Sequence, residues 1–577
     1  SEQVLDFIQN WNYQNMEVFL IKKHLQKLKI ISNRINSFDL KKRSDGSILM
    51  ELSVDWNMYY VIFYIDMRLN LDLSENNIKL LQPFQFNKIG IRNLNLSRNS
   101  IIELRGNEFS VNETIAFLDL SFSKIKRINE NAFKNLIYLQ ELRINDNLLR
   151  FISSTMFLNL KSLKILFLQN NQLFDFDPKM VQGLNSLEWL AFNWNERAIF
   201  NISDFPPSII MVGMNLTNSS FSYYFKPDTV EIDFSKFLID NSLKLTKLDN
   251  RTFQGPTKLE TLVMERLSIE TIEPEAFRSM KFLKKLNLAN NNLKVIRSNN
   301  FIWLNRLVSL NLSNANIEIL EPNAFAGLLN LENLYLSSND IKIIQNGTFQ
   351  HLSKLKHLSL RNCKILTLKE SPFVGLTNLE ELYLNLNNIL RIQNYAFKGL
   401  FKLKNLDLIN SRVQLIESSA FDDLVSLESL YLRYNNIKRI FNNTFLQMSK
   451  LKTLYLEDIH LEYLESDSFK GLNSLENLEL NGNSIKVIPC NLFQSLNRTR
   501  ILRMVYLYIE IIEPFAFNGL TSLESLDLAM NNIKILKNST FQSLAKLKKL
   551  LLYISGIESI ESHAFEGLIS LEKLDLN

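Results

Sequence analysis

The chain has 577 residues, 46% of them hydrophobic and 22% charged, with a net charge of +5. This balance excludes an intrinsically disordered chain, and so small a charge for the length gives no ground for nucleic-acid binding. Two cysteines, Cys363 and Cys490, exclude a disulfide framework, and the longest apolar run, Met58 to Ile65, is too short to cross a bilayer.

Residues 1–66 read as an N-terminal cap region outside any repeat. The chain opens at Ser1 without an initiator methionine, as a mature or fragmentary piece of a longer product does. Phe19 to Ile31 alternates apolar and basic residues at helical spacing. Ser44-Asp45-Gly46 predicts a turn, and Ser47 to Ile65 predicts extended structure. The basic cluster Lys22, Lys23, Lys27, Lys29, Lys41, Lys42 and Arg43 reads as a solvated cap face, with an acidic partner as the alternative.

A repeat follows. In residues 67–195, a first array, Leu71 precedes Leu94, Leu118, Leu142, Leu166 and Leu190, the last five spaced by 24. Residues 196–261 are irregular: FPPSIIMVGMNL and KPDTVEIDFSKF read as short repeats, and Asp240 to Leu245 as an extra stretch. Residues 262–577 form a regular array in which the same leucine recurs at that same spacing from Leu262 through Leu286 and Leu310 to Leu574, and the chain stops at Asn577 inside a repeat. About 22 strand segments result. A phenylalanine column runs beside the leucines: Phe109, Phe133 and Phe157 in the first array, then Phe253, Phe277 and every twenty-fourth residue to Phe565. A polar column holds Asn291, Asn339, Asn387, Asn435, Asn483 and Asn531, with Cys363 at the same position in another unit.

The segment LKKLNLANNNL at Leu283, repeated as LVSLNLSNANI at Leu307 and LENLYLSSNDI at Leu331, resembles the typical leucine-rich repeat of extracellular proteins such as Toll-like receptor ectodomains and chaoptin. The resemblance covers about residues 67 to 577. It implies an α/β repeat solenoid, a leucine-rich repeat horseshoe with a parallel concave β-sheet and an irregular or 3-10 convex side. In such a coil the leucines of one unit are buried only by stacking on the next. The asparagines are structural, pairing backbone groups where the chain leaves each strand. Cys363 reads as a structural substitute. Cys490 lies five repeats on, more than about 20 Å away at about 4.8 Å per strand, so the two do not pair.

The regular array also carries a 48-residue superperiod. Every second unit lacks the asparagine, and the second position alternates as Glu332, Lys356, Glu380, Lys404, Glu428, Lys452, Glu476, Arg500, Glu524, Lys548, Glu572. Opposite charges therefore sit on neighbouring strands, a pairing worth only about 0.2–1 kcal/mol each. This reads as duplication of a two-repeat unit.

No catalytic or metal motif is present. The five histidines are scattered, and His357 stands near Ser359 with no carboxylate recognisable beside it. No cofactor is implied. The outward column of the sheet carries Tyr335, Tyr383, Tyr431 and Tyr455, with Asp407, Arg433 and Tyr434 close by. These seven residues read either as a concave binding surface or as ordinary cross-strand packing. Eleven Asn-x-Ser/Thr sequons occur, at Asn95, Asn112, Asn201, Asn215, Asn218, Asn250, Asn311, Asn346, Asn442, Asn497 and Asn538. The resemblance and the sequons together imply an extracellular, non-enzymatic protein-binding ectodomain, secreted or at the cell surface, of innate-immune or adhesion type. A secreted structural or adhesive protein that self-associates is the alternative, and an intracellular scaffold a third. The implied partner is a protein ligand or a second copy, as a homodimer, through the concave or lateral face. Nucleic acid and a membrane span are not implied.

Overall fold

The computed structural model describes residues 2–6, 18–31, 35–42, 48–54, 57–83, 86, 90–106, 108–109, 114–173, 177–193, 205–217, 220–225, 228–234, 245–254 and 258–577. The turn at 44–46, the side chains of the basic cluster and residues 240–244 lie outside them. The chain divides into two compact units, residues 1–229 with 251–257, and residues 230–250 with 258–577.

The second unit shows how the sequence winds. Each repeat contributes a three-residue strand whose central leucine points inward and whose flanking residues point out, as period-two alternation demands. Fifteen such strands, from Glu231–Asp233 to Lys573–Asp575, make one parallel sheet. Leucine faces leucine along it: Leu262 opposite Leu286, Leu286 opposite Leu310, and so on to Leu574. The opposite side is built from turns. The Phe-x-x-Leu-x-x-Leu segment closes two successive reverse turns, with the Leu304 amide donating to the Phe301 carbonyl (3.0 Å) and the Leu307 amide to the Leu304 carbonyl (3.0 Å). A 3-10 helix, Pro178–Val181, is capped by Asp177.

The phenylalanines stack as a column through these turns. Ring centroids are 5.7–6.4 Å apart from Phe277 to Phe445 and again, at 5.7–6.0 Å, from Phe469 to Phe565. Near-parallel rings at this spacing are a favourable offset arrangement. In the first unit Phe86 extends the column, 5.4 Å from Phe109. Phe253 stacks on Tyr223 at 6.3 Å and groups with the first unit.

The asparagines serve two repeats at once. Asn387 donates to the carbonyls of Leu384 (2.7 Å) in its own repeat and Leu360 (2.8 Å) in the preceding one. Its Oδ1 accepts from the amides of Cys363 and Ile365, both at 3.0 Å. Asn291, Asn339, Asn435, Asn483 and Asn531 repeat the pattern. Units without asparagine close differently. There the following residue is left-handed, at Ser268, Asn316, Lys364, Arg412, His460 and Tyr508 (φ 54–61°). The backbone carbonyl then takes the side chain's place: Leu293 donates to Ala315 (2.8 Å), Ile389 to Ser411 (2.7 Å) and Ile533 to Ser555 (2.7 Å). The Cys363 thiol donates to the Leu336 carbonyl at 3.0 Å, and burial pushes its pKa up to about 12.

The N-terminal stretch departs from the sequence reading. Val18–Ile31 is a strand, not a helix. It pairs in parallel with Asn57–Asp72 and sets Leu28 opposite Leu71, which stands opposite Leu94. Leu25 to Ile30 is therefore a repeat core, displaced from the period by the antiparallel strands Ile35–Lys42 and Ile48–Val54. Leu25 and Leu28 satisfy the spacing of a helix and of a repeat equally, and the neighbouring strand decides between them. Register shifts between Ile21/His24 and Leu25/Lys27 interrupt the strand alternation that would have betrayed it.

Three measurements check this packing. Phe373→Ala is expected to destabilise by about 3–5 kcal/mol in urea unfolding. Asn387→Ala is expected to speed hydrogen exchange at the Cys363 and Ile365 amides selectively, and unchanged exchange there would refute the shared-asparagine account. At pH 8, iodoacetamide should modify the exposed Cys490 and leave the buried, neutral Cys363 thiol intact. Two modifications per folded chain would contradict this.

Candidate functional site

The strands set their outward residues in rows about 4.8 Å apart. One row reads Tyr335, Ser359, Tyr383, Asp407, Tyr431, Tyr455, Glu479, Arg503, Asp527 in register across nine consecutive strands. Tyr335, Tyr383, Asp407, Tyr431 and Tyr455 thus fall on one line, and Arg433 lies beside it. Tyr434 does not join them; it sits on the turn beyond the strand, left-handed (φ 57°) and 58% exposed.

Side chains on this face hold one another. Tyr431 and Tyr455 stack at 5.0 Å and 12°, and the Arg433 guanidinium lies 4.0 Å over the Tyr455 ring. Arg433 also pairs with Glu457 at 2.6 Å, and Arg503 pairs with Glu479. Burial holds the Glu457 carboxyl above its ordinary range despite the arginine. Tyr383 donates its hydroxyl to Glu381 Oε2 at 2.7 Å, and the same oxygen meets His357 Nδ1 at 2.9 Å. Burial and this hydrogen bond push the Tyr383 hydroxyl up to about 12. Asp407 accepts from the Ile409 amide at 2.9 Å, and its burial raises its carboxyl.

Glu381 corrects the sequence reading of His357, which found no carboxylate for it. The partner stands one full repeat away on the next strand, a neighbour invisible to local motifs. Ser359 is engaged elsewhere, its hydroxyl 2.7 Å from that of Ser337. Histidine, carboxylate and serine therefore do not form a relay. Glu381, Glu457, Glu479 and Arg503 were missed in the sequence, although each continues an outward column at the repeat spacing.

The charged rim forms as the alternation requires. Lys356 meets Glu332 (2.9 Å), Lys404 meets Glu380 (2.7 Å), Lys452 meets Glu428 (2.7 Å), and Glu524 takes both Arg500 (2.7 Å) and Lys548 (3.2 Å). These pairs are exposed and add little stability. Beyond the strands, a groove of about 1240 Å³ is lined by Lys438, His460, Glu462, Tyr463, Lys486 and Glu513 among others. Its lysines are already paired, Lys438 with Glu462 (2.9 Å) and Lys486 with Glu510 (3.1 Å).

In the first unit the outward positions of the strands at 141–143, 165–167 and 189–191 are closed. Glu141, Arg143, Phe167 and Trp189 are all buried. Arg143 pairs with Glu141 at 2.6 Å, with its guanidinium against the rings of Phe117 and Phe167 at 5.3 and 5.4 Å. Removing one partner of such a buried pair is costly, which marks it as structural.

Of the sequons, Asn250, Asn346, Asn442, Asn497 and Asn538 are exposed. Asn95 and Asn311 are half-buried on strands and accept from the Ser97 and Ser313 amides. The side chains of Asn112, Asn201, Asn215 and Asn218 lie outside the described residues. Thr252, Thr348, Thr444 and Thr540, each preceding a column phenylalanine, are buried. The last three donate to a carbonyl three residues back. The threonine of these sequons thus has a packing role of its own.

Comparison with known proteins follows the geometry. A model described as BspA type Leucine rich repeat region (6 copies) matches residues 366–500. A second, Leucine rich repeat, matches 113–173, 137–196, 235–293, 282–341, 305–365, 330–389 and 507–554, and the two together span more than half of the chain. Toll-like receptor 3 of Boselaphus tragocamelus is 29% identical over 250 residues, 41% of this chain and 26% of the receptor. An adenylate cyclase of Schizosaccharomyces pombe is 27% identical over 251 residues, 40% of this chain and 14% of the cyclase. A crystal structure of a TLR13-ssRNA13 complex is similar with a TM-score of 0.39 and 21% identity, covering 93% of this chain and 89% of that one. The chain thus matches no more than 26% of the length of either relative.

The Tyr383–Glu381 bond is open to direct titration. In Glu381→Gln the Tyr383 hydroxyl loses the anion that raises it and should titrate closer to 10. A difference spectrum at 295 nm between the variant and the parent should show one tyrosine ionising earlier, and superimposable curves would refute the bond.

Proposed function

This chain is a leucine-rich repeat protein resembling Toll-like receptor ectodomains, and from that premise we propose that it is a non-catalytic, extracellular recognition protein that takes a protein ligand on the sheet face of its second array. The observation that carries this reading is the tyrosine row. Tyr335 and Tyr383 are exposed at 40% and 36%, on a face whose counterpart at Glu141, Arg143, Phe167 and Trp189 of the first array is buried. Tyrosine offers a large contact area at low entropic cost, and the surrounding ions are mostly paired, so a partner need not strip water from lone charges. The exposed sequon asparagines support an extracellular place, because their turns lie away from the sheet and glycans there leave the tyrosine row clear.

One observation favours self-association as a second reading. On the turns beyond the sheet, Tyr506, Met530 and Ile554 hold left-handed backbone on three consecutive repeats while 53%, 43% and 66% exposed. A β-branched or bulky residue there is strained, and an exposed apolar strip is a docking surface in many proteins.

Screening the chain against arrayed secreted and cell-surface proteins tests the first reading. Tyr383→Ala and Tyr431→Ala are each expected to weaken a hit about tenfold, equivalent to about 1.4 kcal/mol. Unchanged affinity in both removes the tyrosine row as the binding surface. Sedimentation velocity separates the second reading: a concentration-dependent dimer that Ile554→Asp dissolves supports it. Intact mass of the natural protein before and after glycosidase treatment tests the location, and an unchanged mass would count against it.

A further inference from the structure

We propose that Asp407, framed by Tyr383 and Tyr431, is a socket for a lysine or arginine side chain of the protein partner. The proposal rests on the sheet face being the binding surface and names what that face selects.

The three residues occupy one row on three consecutive strands. Tyr383 and Tyr431 are therefore about 9.6 Å apart at the backbone, with Asp407 midway. Each tyrosine has a partner of its own: Tyr383 bonds Glu381 on its own strand (2.7 Å), and Tyr431 stacks on Tyr455 of the strand beyond (5.0 Å). The carboxylate is thus flanked by a tyrosine on each neighbouring strand, at a strand spacing that leaves room for one unbranched side chain between two rings.

The charge of the face points to the same occupant. Glu457 has Arg433, Glu479 has Arg503, and Glu381 has His357 and the Tyr383 hydroxyl. Asp407 is held by a backbone amide, and the nearest positive influence, Arg361, acts on it without bridging. It is a half-buried anion with one side satisfied. An arriving cation supplies the missing charge and lies between aromatic walls that attract it. An anionic partner is repelled, and an apolar one would bury the carboxylate without compensation. The chain as a whole carries +5, so general attraction of polycations is not what the socket relies on.

The test uses the full chain, immobilised, with octa-arginine, octa-lysine and octa-glutamate as probes in interferometry at 150 mM salt. The cationic peptides should bind and octa-glutamate should not. Asp407→Asn should weaken the cationic peptides at least tenfold, and Tyr383→Leu or Tyr431→Leu several-fold. Glu428→Gln, an equal charge change on the rim, should leave them unaffected. Equal losses in Asp407→Asn and Glu428→Gln, or none in Asp407→Asn, overturn the socket. Thermal melting gives an independent readout. Because burial disfavours the folded-state anion, Asp407→Asn should melt at or above the parent temperature at pH 7. A fall of several degrees would make Asp407 a structural residue and overturn the proposal. If the tyrosine variants weaken a protein ligand from the array screen while Asp407→Asn does not, the face stands and the socket alone falls.

Discussion

A stacked coil must turn its backbone at the end of every strand, and each turn leaves amides and carbonyls facing a dry interior. The asparagine bonds meet this demand, and the rest of the second unit depends on them. One amide side chain joins four backbone groups belonging to two repeats, so adjacent repeats are connected by polar bonds as well as by leucine packing. Since an unmet buried amide costs about 1–3 kcal/mol, each junction needs such a solution. Only every second repeat supplies an asparagine, although Cys363, Ser411 and Ser555 in the intervening repeats still donate to one carbonyl of a preceding repeat. The others redirect a carbonyl through a left-handed residue, giving two junction geometries in strict alternation. Glycine follows the same rhythm except at Gly399, which lies in the repeat of Asn387. Gly327, Gly375, Gly471, Gly519 and Gly567 all lie in repeats without asparagine, and a Cβ at Gly375 would collide with the Gln350 backbone of the turn before it.

Much of this was legible in the sequence, because a fixed period aligns chemically identical positions that are also spatial neighbours. Leu286 and Leu310 announce one column, Phe277 and Phe301 another, and Glu380 beside Lys404 a third. The same logic fails where neighbours differ in type. His357 and Glu381 are as close in the fold as any two leucines, yet nothing in a local motif links a histidine to a glutamate in the next repeat. The N-terminal repeat around Leu28 was hidden for another reason. An antiparallel excursion from Ile35 to Val54 carries the next repeat out of period, and a period search stops where the spacing stops. The burial of Arg143 and Trp189 was equally unreadable, because alternation tells which side of a strand a residue takes and not what covers that side.

The two arrays therefore use the same outward positions for opposite ends. In the first, paired charge and aromatic rings at Arg143, Glu141 and Phe167 are sealed and hold the fold. In the second, the same chemistry, Arg433 with Glu457 and Tyr455, stays half-open on the surface. An arginine lying on a ring is a packing device in one place and a contact element in the other, and solvent access separates the two roles. The satisfied pairs also set off what is not satisfied: a lone carboxylate is conspicuous only where its neighbours have all found partners.

The alternation of junctions has a bearing on how such a gene can change in length. Loss of a single asparagine-bearing unit by unequal recombination would set two repeats lacking asparagine side by side, stranding amides such as those of Cys363 and Ile365, and would bring lysine against lysine on the rim; loss of a unit of the other kind would bring glutamate against glutamate. Loss of two adjacent units together restores every match. Copy number in this array is free to drift in even steps, and odd steps are penalised either at a backbone junction or on the charged rim.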